Sequence, residues 1–246
     1  MSDGRDLSVV IPVFNEADRV APTLSAATSW LAGHGLDAEV IVVEDGSTDA
    51  TAAIIAEFVA GKPPVTVTLL SQPCNQGKGA AVRRGMLAAS GRHRLFMDAD
   101  LATPLDEIGA LRPHLEEAHV VIASRAVPGS RLSPPQPLHR RLMGVVFRKL
   151  AATLGGLGSI RDSQCGFKMF RGDAAEAIFS RLTESGFAFD VEVLGLALRL
   201  GLQVAEVGVT WCDSGRSSVH PIRDPWRMFL ALLRIRRRLV GVVPPA

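Results

Sequence analysis

The sequence predicts an α/β fold with a mainly parallel sheet that is covered by helices on both faces. Its first half alternates short apolar runs with longer segments of helical periodicity, the pattern of successive βαβ units. The apolar runs are nearly continuous, as in strands that are buried on both faces. The predicted strands are residues 7–13, 38–44, 65–71, 94–97 and 120–123, and the predicted helices between them are residues 16–31, 49–59, 77–89 and 104–115.

The pattern changes after Ser124. Residues 128–137 are rich in proline, arginine and serine and predict a mobile loop. The elements predicted beyond it are a helix at 138–154, strands near 167–170 and 203–211, and helices near 173–182 and 191–200. We expect one domain over residues 1–246, with a first half at about 7–123, a second half at about 124–222 and a C-terminal helix at about 223–240.

Composition argues against several classes of protein. With 47% hydrophobic and 21% charged residues the chain is typical of soluble globular proteins. A net charge of +2 and the lack of any tyrosine beside the basic residues argue against a nucleic-acid partner. Three widely spaced cysteines indicate reduced thiols, and no run approaches the ~18 apolar residues that span a bilayer. With charges where a signal peptide needs apolar residues, we expect a cytoplasmic protein that would lie on a membrane and not cross it if it meets one.

The strongest motif is Asp98-Ala99-Asp100, which directly follows a predicted strand. Because alternate side chains of an extended segment share a face, Asp98 and Asp100 leave the strand together. Two such carboxylates suit Mg²⁺, which takes one or two protein carboxylates and completes its shell with phosphates and water. The alternative is a strand-end cap before a helix that begins near Thr103.

A second acidic pair, Glu44 and Asp45, ends the second predicted strand before a glycine turn. Acids at the carboxyl end of such a strand face the ligand edge of the sheet, where they can accept hydrogen bonds from a base N–H or a ribose hydroxyl. The following Ser47 or Asp49 can instead serve as the cap of the next helix.

Two further segments are predicted to lie at the same edge. Pro12 lacks an N–H and is expected to end ladder pairing before Asn15 and Glu16, and Asn15 can also be the N-cap of the following helix. Lys78 lies between two glycines at a predicted helix start, where free N–H groups and the helix dipole favour an anion. The glycine spacing is not that of a Walker P-loop.

Taken in order, the segments IPVFNE, VVEDGSTD, NQGKGAAVRRG and DADLATP resemble the nucleotide-sugar half of glycosyltransferase family 2. RDSQCGFKMF and FDVE, with Arg125 and Trp211, resemble a narrower branch: dolichyl-phosphate β-glucosyltransferases and polyprenyl-phosphate sugar synthases related to dolichyl-phosphate mannose synthase. The resemblance runs from about Leu7 to the C-terminal region. It implies the GT-A fold, a Rossmann-like sandwich whose first half binds the nucleotide sugar and whose second half binds the acceptor.

The implied activity is transfer of a hexose, with UDP-glucose favoured as donor, to polyprenyl or dolichyl phosphate with inversion, assisted by Mg²⁺ or Mn²⁺. Asp100, Arg125 and Asp190 are the predicted catalytic residues. The metal is predicted on Asp98 and Asp100. The predicted nucleotide-sugar ligands are Pro12, Asn15, Glu16, Glu44, Asp45, Lys78, Asp98, Ala99 and Arg216, and the predicted acceptor-phosphate ligands are Arg125, Arg140 or its neighbour Arg141, and Lys168.

Two positions depart from the branch. Mannose synthases carry a glutamine as a further metal ligand where this chain has Ala102, which favours the glucosyltransferase-like branch. Relatives also carry Gly-Ser-Lys where this chain reads Gly-Arg-Ser, so Arg216 is the candidate for the missing charge. The Gln-x-x-Arg-Trp segment of processive synthases is absent, which favours a single transfer.

The acceptor decides which side chains the reaction needs. A hydroxyl acceptor requires a general base, for which Asp190 and Glu192 are candidates, although they can equally be structural partners of arginines. A polyprenyl monophosphate, with a second pKa near ~6, is already a nucleophile and needs cations instead. Alternatives are a UDP-N-acetylhexosamine or GDP-mannose donor, a hydroxyl acceptor, or an inactive nucleotide-sugar-binding subunit.

The C-terminal helix is predicted to be amphipathic. Its arginines, including Arg234 and Arg238, share one face, and apolar residues including Leu232 and Ile235 lie opposite. Such a helix can lie in a membrane interface, or it can pack its apolar face on the domain. The helix predicted at 138–154 is a similar case, and a membrane partner protein is a further possible anchor.

Overall fold

Strands and helices alternate through the first half of the protein, as the apolar pattern predicts. The structure is a computed structural model that describes residues 5–133, 144, 148–158, 160–212 and 223–242. The first elements are β1 (Leu7–Val13), α1 (Val20–Gly33), β2 (Ala38–Glu44), α2 (Thr51–Ala60), β3 (Thr66–Ser71), α3 (Lys78–Ala88), β4 (His93–Met97), α4 (Glu107–Leu111), a 3-10 helix (Arg112–Glu116) and β5 (Val120–Ser124).

Strands and helices alternate less regularly in the second half. Residues 148–154 are helical and are called α5. The other elements are β6 (Arg131–Ser133), β7 (Phe167–Arg171), α6 (Gly172–Phe179), α7 (Phe189–Arg199), β8 (Val204–Gly208), β9 (Thr210–Cys212) and α8 (Arg223–Val240).

Seven strands form one sheet in the order β3-β2-β1-β4-β7-β5-β8, and β6 pairs with β9 in a small second sheet. All neighbours in the large sheet run parallel except β7, which is antiparallel to both β4 and β5. The predicted α/β class with a mainly parallel sheet is therefore confirmed.

The reversed strand β7 determines what lies at the ligand edge. Its first residue, Phe167, is paired with the last residue of β4, Met97. The loop before β7 consequently begins where β4 ends, and the N–H of Asp98 donates a hydrogen bond of 3.0 Å to the carbonyl oxygen of Gly166. The CGFK and DAD segments, 65 or more residues apart in the chain, are thus adjacent.

The core lies in two layers, one on each face of the sheet. Consecutive side chains of β1 belong to different layers. Val10 lies in the layer that contains residues of α3, α6, α7 and α8, whereas Val9 lies in the layer that contains residues of α1, α2 and α4. This alternation is the two-residue period of a strand with both faces covered. Helices on both faces hold the ends of the central strands in a fixed arrangement.

Several sequence predictions need correction. The predicted mobile loop at 128–137 contains β6, because the N–H of Arg131 bonds to the carbonyl of Val209 at 3.0 Å; residues 134–137 lie outside the described residues. The helix predicted at 104–115 is split into α4 and a 3-10 helix, because Pro113 has no N–H to donate to the preceding turn. Of the helix predicted at 138–154, residues 138–143 and 145–147 also lie outside the described residues.

The start of α1 also differs from the prediction. The helix begins at Val20 after Arg19, so Asn15 is not its N-cap. Pro12 does not end β1 either: the strand continues beside β2 to Val13, while its pairing with β4 extends only to Val10. The chain between β1 and α1 is therefore a loop, and this loop forms part of the ligand edge.

Close approach of α3 to the loop before α7 depends on Gly79. A Cβ at this position would overlap the carbonyl oxygen of Glu184 and lie 2.6 Å from Cβ of Phe189, whereas Gly109 in α4 has open space around it. We expect Gly79→Ala to lower the free energy of unfolding by about 1–3 kcal/mol through overpacking. Gly109→Ala is the matched control and is expected to be neutral or stabilising. Urea unfolding measures both; equal stability of the two variants would contradict this packing.

Candidate active site

One cavity of about 790 Å³ opens at the edge where β1, β2 and β4 end and α3 begins. Its wall contains acidic, basic and apolar side chains. Of the residues predicted from sequence, its wall contains Pro12, Glu16, Asp45, Lys78, Asp98, Ala99 and Asp100.

Asp98 and Asp100 are both in this wall, as their spacing after a strand predicts. Asp98 receives the ammonium of Lys78 at 2.6 Å, and the two side chains are 34% and 24% exposed. Asp100 accepts a hydrogen bond of 3.0 Å from the N–H of Ala102, across a turn in which Leu101 has a positive φ of 51°. The chain therefore makes a tight turn after β4, and the carboxylates of Asp98 and Asp100 line the same cavity.

The two carboxylates fit a divalent cation that is completed by other ligands. Among the described residues, no three or more His, Cys, Asp or Glu side chains come together as a possible metal site. A protein site with only two carboxylates suits Mg²⁺ or Mn²⁺ if phosphate oxygens and water fill the remaining positions. The part played by Asp98 and Asp100 in metal binding remains a prediction.

Asp45 ties the loop before α3 to the end of β2. One carboxylate oxygen accepts bonds from Gln72 Nε2 at 2.6 Å and from the N–H of Gln76 at 2.8 Å, and the other accepts from the N–H of Gly77 at 2.9 Å. Glu44 is buried and accepts from the N–H of Ser47. Asp45 therefore shapes the cavity wall, whereas Glu44 holds the turn behind it.

The loop after β1 is fastened to the loop after β2. Asn15 has a positive φ of 53°, and its side-chain oxygen accepts from the N–H of Thr48 at 2.8 Å. The N–H of Glu16 donates to Thr51 Oγ1 at 2.8 Å, and its carboxylate binds Arg19 in two hydrogen bonds of 2.6 and 2.9 Å. Asn15 is outside the cavity wall in the described structure, so its local role is to link the two loops.

A chain of alternating charges runs from the cavity into the core. Behind the Lys78–Asp98 pair, Lys168 donates to Asp190 at 2.5 Å and to the carbonyl of Cys165 at 2.6 Å. Lys168 is 0% and Asp190 5% exposed. The ammonium groups of Lys78 and Lys168 lie 5.5 and 5.4 Å from the centroid of the Phe96 ring. These four charges and one ring form a continuous cluster.

The cluster sets the protonation of its members. Burial alone would lower the pKa of Lys78, but the carboxylates of Asp98 and Asp190 outweigh it and raise that pKa above its ordinary value. Burial raises the pKa of Asp190, although Lys168 and Lys78 oppose this shift. Lys78 is therefore a cation at neutral pH, in contact with the cavity.

Lys168 is fully buried in this structure, and its ammonium holds Asp190. Its contact with an acceptor phosphate stays a prediction. Asp190 accepts a hydrogen bond from Lys168, and Glu192 accepts one from the N–H of Glu184. Neither carboxylate lies in the part of the cavity wall that the described residues form.

Arg125 is held by Asp162. Its backbone N–H and Nε donate to Oδ2 of Asp162 at 2.9 and 2.7 Å, and Nη2 donates to Oδ1 at 2.9 Å. Its guanidinium also lies 5.3 Å from the Trp211 ring centroid. Arg125 is outside the cavity wall that the described residues form, so its acceptor role remains a prediction. Arg140, Arg141 and Arg216 lie outside the described residues.

Sequence reasoning missed one side of the cavity. Residues 184–188 before α7 line it, as do Arg19 and Arg234. Arg234 lies 3.5 Å from Glu184. The alternation of arginines in α8 was the available signal, but it does not tell which arginines face the protein.

Comparison with known proteins gives the class of this α/β protein. Residues 8–179 match the family described as Glycosyl transferase family 2, and the chain belongs to this family. The protein is a glycosyltransferase and is similar to dolichyl-phosphate β-glucosyltransferases. That of Dictyostelium discoideum is 33% identical over 96% of this chain and 76% of its own length. The enzyme of Drosophila melanogaster is 35% identical over 98% of this chain and 77% of its own length. The enzyme of Homo sapiens is 32% identical over 96% of this chain and 76% of its own length.

Solved structures of glucosyl-3-phosphoglycerate synthase from Mycobacterium tuberculosis share the GT-A fold. Its complex with Mn²⁺, uridine diphosphate and glucosyl-3-phosphoglycerate matches with a TM-score of 0.71 and 24% identity over 99% of this chain and 82% of that chain. Its complex with Mg²⁺ and uridine diphosphate matches with a TM-score of 0.70 and 24% identity over 99% and 82%. This similarity shows the fold.

The Arg125–Asp162 pair makes stability depend on pH. Burial opposes the charge of Asp162, but the hydrogen bonds and charge of Arg125 hold the pKa of Asp162 below its ordinary value of 3.8. A lowered pKa contributes stability above 3.8 that is lost as the pH falls through the folded-state value. We expect Asp162→Asn to cost about 3 kcal/mol near neutral pH, because it leaves the Arg125 charge without its partner.

Urea unfolding at neutral and acidic pH measures this difference. The difference in unfolding free energy between the wild type and Asp162→Asn is expected to shrink as the pH falls below 3.8, because Asp162 then takes up a proton in the unfolded chain. Asp37→Asn removes an exposed carboxylate and is the control. A loss of stability for Asp162→Asn that is constant with pH would contradict the assignment.

The three thiols are expected to differ in reactivity. Cys165 is buried behind the Asp98 turn, and burial raises the pKa of its thiol to about 11, whereas Cys74 and Cys212 are exposed. Since the thiolate is the reactive form, iodoacetamide should label Cys74 and Cys212 in the native protein and Cys165 only after unfolding. Peptide mass spectrometry reads this out, and labelling of native Cys165 at the rate of Cys74 would disprove the packing.

Proposed function

We propose that this glycosyltransferase moves a hexose, glucose from UDP-glucose by preference, onto polyprenyl or dolichyl phosphate with inversion, assisted by Mg²⁺ or Mn²⁺. The observation that carries the proposal is the meeting of Asp98, Asp100 and Lys78 on one cavity wall. The names of the relatives support the dolichyl-phosphate acceptor and glucose. The uridine diphosphate complexes of the structural neighbours support the donor and the metal.

Binding of the donor diphosphate is assigned to the Asp98–Lys78 side of the cavity. A divalent ion on Asp98 and Asp100 would neutralise the charge that develops on the leaving diphosphate. Lys78 stays positively charged because its pKa is raised, and its ammonium can donate to phosphate oxygens from the start of α3. Asp45 and the loops fastened to it border the space for the nucleoside.

The acceptor is proposed to be a phosphate because the FDVE carboxylates are committed elsewhere. Asp190 is paired with Lys168 and Glu192 accepts hydrogen bonds from Thr183 and Glu184. A phosphate needs no general base, since it is largely ionised at neutral pH. Asp190 then acts as a positioning residue that stabilises the Lys78 charge.

The proposed site of action is the cytoplasmic surface of the membrane, where a polyprenyl acceptor resides. No helix among the described residues is long and apolar enough to cross a bilayer. The proposed binding of the enzyme to the membrane is peripheral and uses the exposed side of α8.

Transfer of labelled glucose tests the proposal. The protein is incubated with UDP-glucose, Mg²⁺ and either a polyprenyl phosphate or the matching polyprenol in detergent. We expect product only with the phosphate, loss of product with EDTA, and recovery with Mg²⁺ or Mn²⁺. Transfer to the alcohol, or to neither lipid, would overturn the proposed acceptor.

Asp100→Asn is expected to lower the transfer rate by at least about 100-fold, because it weakens stabilisation of the leaving group. Asp37→Asn, which changes an exposed carboxylate far from the cavity, is the matched control and should keep the wild-type rate. Unchanged unfolding curves must accompany both results. Normal transfer by Asp100→Asn would remove the support for the metal site.

A further inference from the structure

The exposed apolar side chains of the protein are concentrated at one place. The large hydrophobic side chains that are exposed in the described chain are Phe14 (39%), Phe187 (38%), Leu230 (38%), Leu233 (37%) and Val240 (70%). Phe14, Phe187 and Leu230 line the cavity, and Leu233 and Val240 lie further along the same helix as Leu230. Three of the five therefore lie in the cavity wall, and the other two continue from Leu230 along α8.

On α8 the exposed apolar residues form a stripe. Leu230, Leu233 and Val240 are spaced three and seven residues apart, so they share one side of the helix. The opposite side is buried in the core through Ala231, Leu232, Ile235 and Leu239. One of the two predictions for this helix, packing of its apolar face on the domain, is thus observed, and it leaves a second apolar stripe outside.

The last four arginines of α8 are exposed, and two of them also contact acids or hydroxyls of the domain. Arg234 lies 3.5 Å from Glu184, and Arg238 donates to Thr183 Oγ1 at 2.5 Å and lies 3.9 Å from Glu192. Arg236 and Arg237 are exposed beside the stripe and have no ion pair in the part of the chain that the structure describes. Two arginines of the basic face predicted for lipid contact therefore have partners on the domain while they stay exposed, and Arg236 and Arg237 face solvent alone in the described chain.

We propose that the exposed stripe of α8 with Arg236 and Arg237 is a docking surface for an anionic lipid bilayer, with the cavity mouth facing the lipid. Leucine and valine side chains next to guanidinium groups suit the boundary between acyl chains and headgroups. No acid occurs between Met228 and Val240, so the charge of this face complements anionic lipid. The occupant is a membrane surface.

This orientation deepens the proposed function and rests on it for the lipid acceptor. An acceptor headgroup in the bilayer would lie at the same level as Phe14, Phe187 and Leu230 at the cavity mouth. The isoprenoid chain could then remain in the membrane while the phosphate enters the cavity.

Co-sedimentation with vesicles, without donor or acceptor, tests the surface. The full chain should bind vesicles of phosphatidylcholine mixed with phosphatidylglycerol and should bind pure phosphatidylcholine weakly. The double variant Arg236→Gln/Arg237→Gln should bind the anionic vesicles about 30-fold more weakly, from ~1 kcal/mol per basic residue near the surface. Leu233→Ser/Val240→Ser should also weaken binding.

Lys62→Gln/Arg199→Gln removes two exposed charges elsewhere and is the matched control; it should bind like the wild type. The proposed docking surface is overturned if the wild type does not bind anionic vesicles, or if the control variant loses as much vesicle binding as Arg236→Gln/Arg237→Gln. Transfer to polyprenyl phosphate in detergent is measured in parallel with the Arg236→Gln/Arg237→Gln variant and should be unchanged. Failed vesicle binding with normal transfer rejects only the docking surface, and normal vesicle binding with failed transfer rejects only the proposed acceptor.

Discussion

The contact between Lys78 and Asp98 is the interaction on which the arrangement of the site depends. It joins the start of α3 to the end of β4 at 2.6 Å, in the wall of a cavity that both side chains line. Behind it lie Asp190 and Lys168, so opposite charges alternate from solvent into the core. The buried Lys168–Asp190 pair is not a source of net stability by itself, because desolvation opposes it. Its effect is to fix where each charge lies.

The same cluster unites the two halves of the sequence. Lys78 begins α3 and Asp98 follows β4, whereas Lys168 lies in β7 and Asp190 in α7. The carboxylate of Asp190 helps to raise the pKa of Lys78, so a residue of the second half acts on a charge of the first.

Much of the fold could be predicted from the sequence because its strands are strongly apolar and clearly bounded. Residues 7–13 and 38–44 form β1 and β2 as predicted, since both are buried along their whole length apart from Pro12. The start of α1 was less predictable, because Asn15 bonds to a distant loop and not to the next turn of helix. Cavity residues that follow strands were likewise found from spacing, as with Asp45 and Asp98.

The partners of the charged residues could not be predicted in the same way. Nothing local in the sequence indicates that Lys168 is enclosed, that Arg125 is bound by Asp162, or that Arg234 faces Glu184. Each of these pairs joins residues far apart in the chain. A pattern along one helix or strand reports which face is apolar, but the counter-ion of an arginine is decided by tertiary packing.

Strand β7 has a consequence for how the protein comes to be folded. It enters the sheet between β4 and β5 although it is the seventh strand in the chain. Until β7 is present, β4 lacks one of its two neighbours, and β5 lacks the strand that joins it to the rest of the sheet, because the partners of β5 are β7 and β8. The N–H of Asp98 bonds to the carbonyl oxygen of Gly166, so the turn after β4 gains its final setting only when the chain has been synthesised past residue 166.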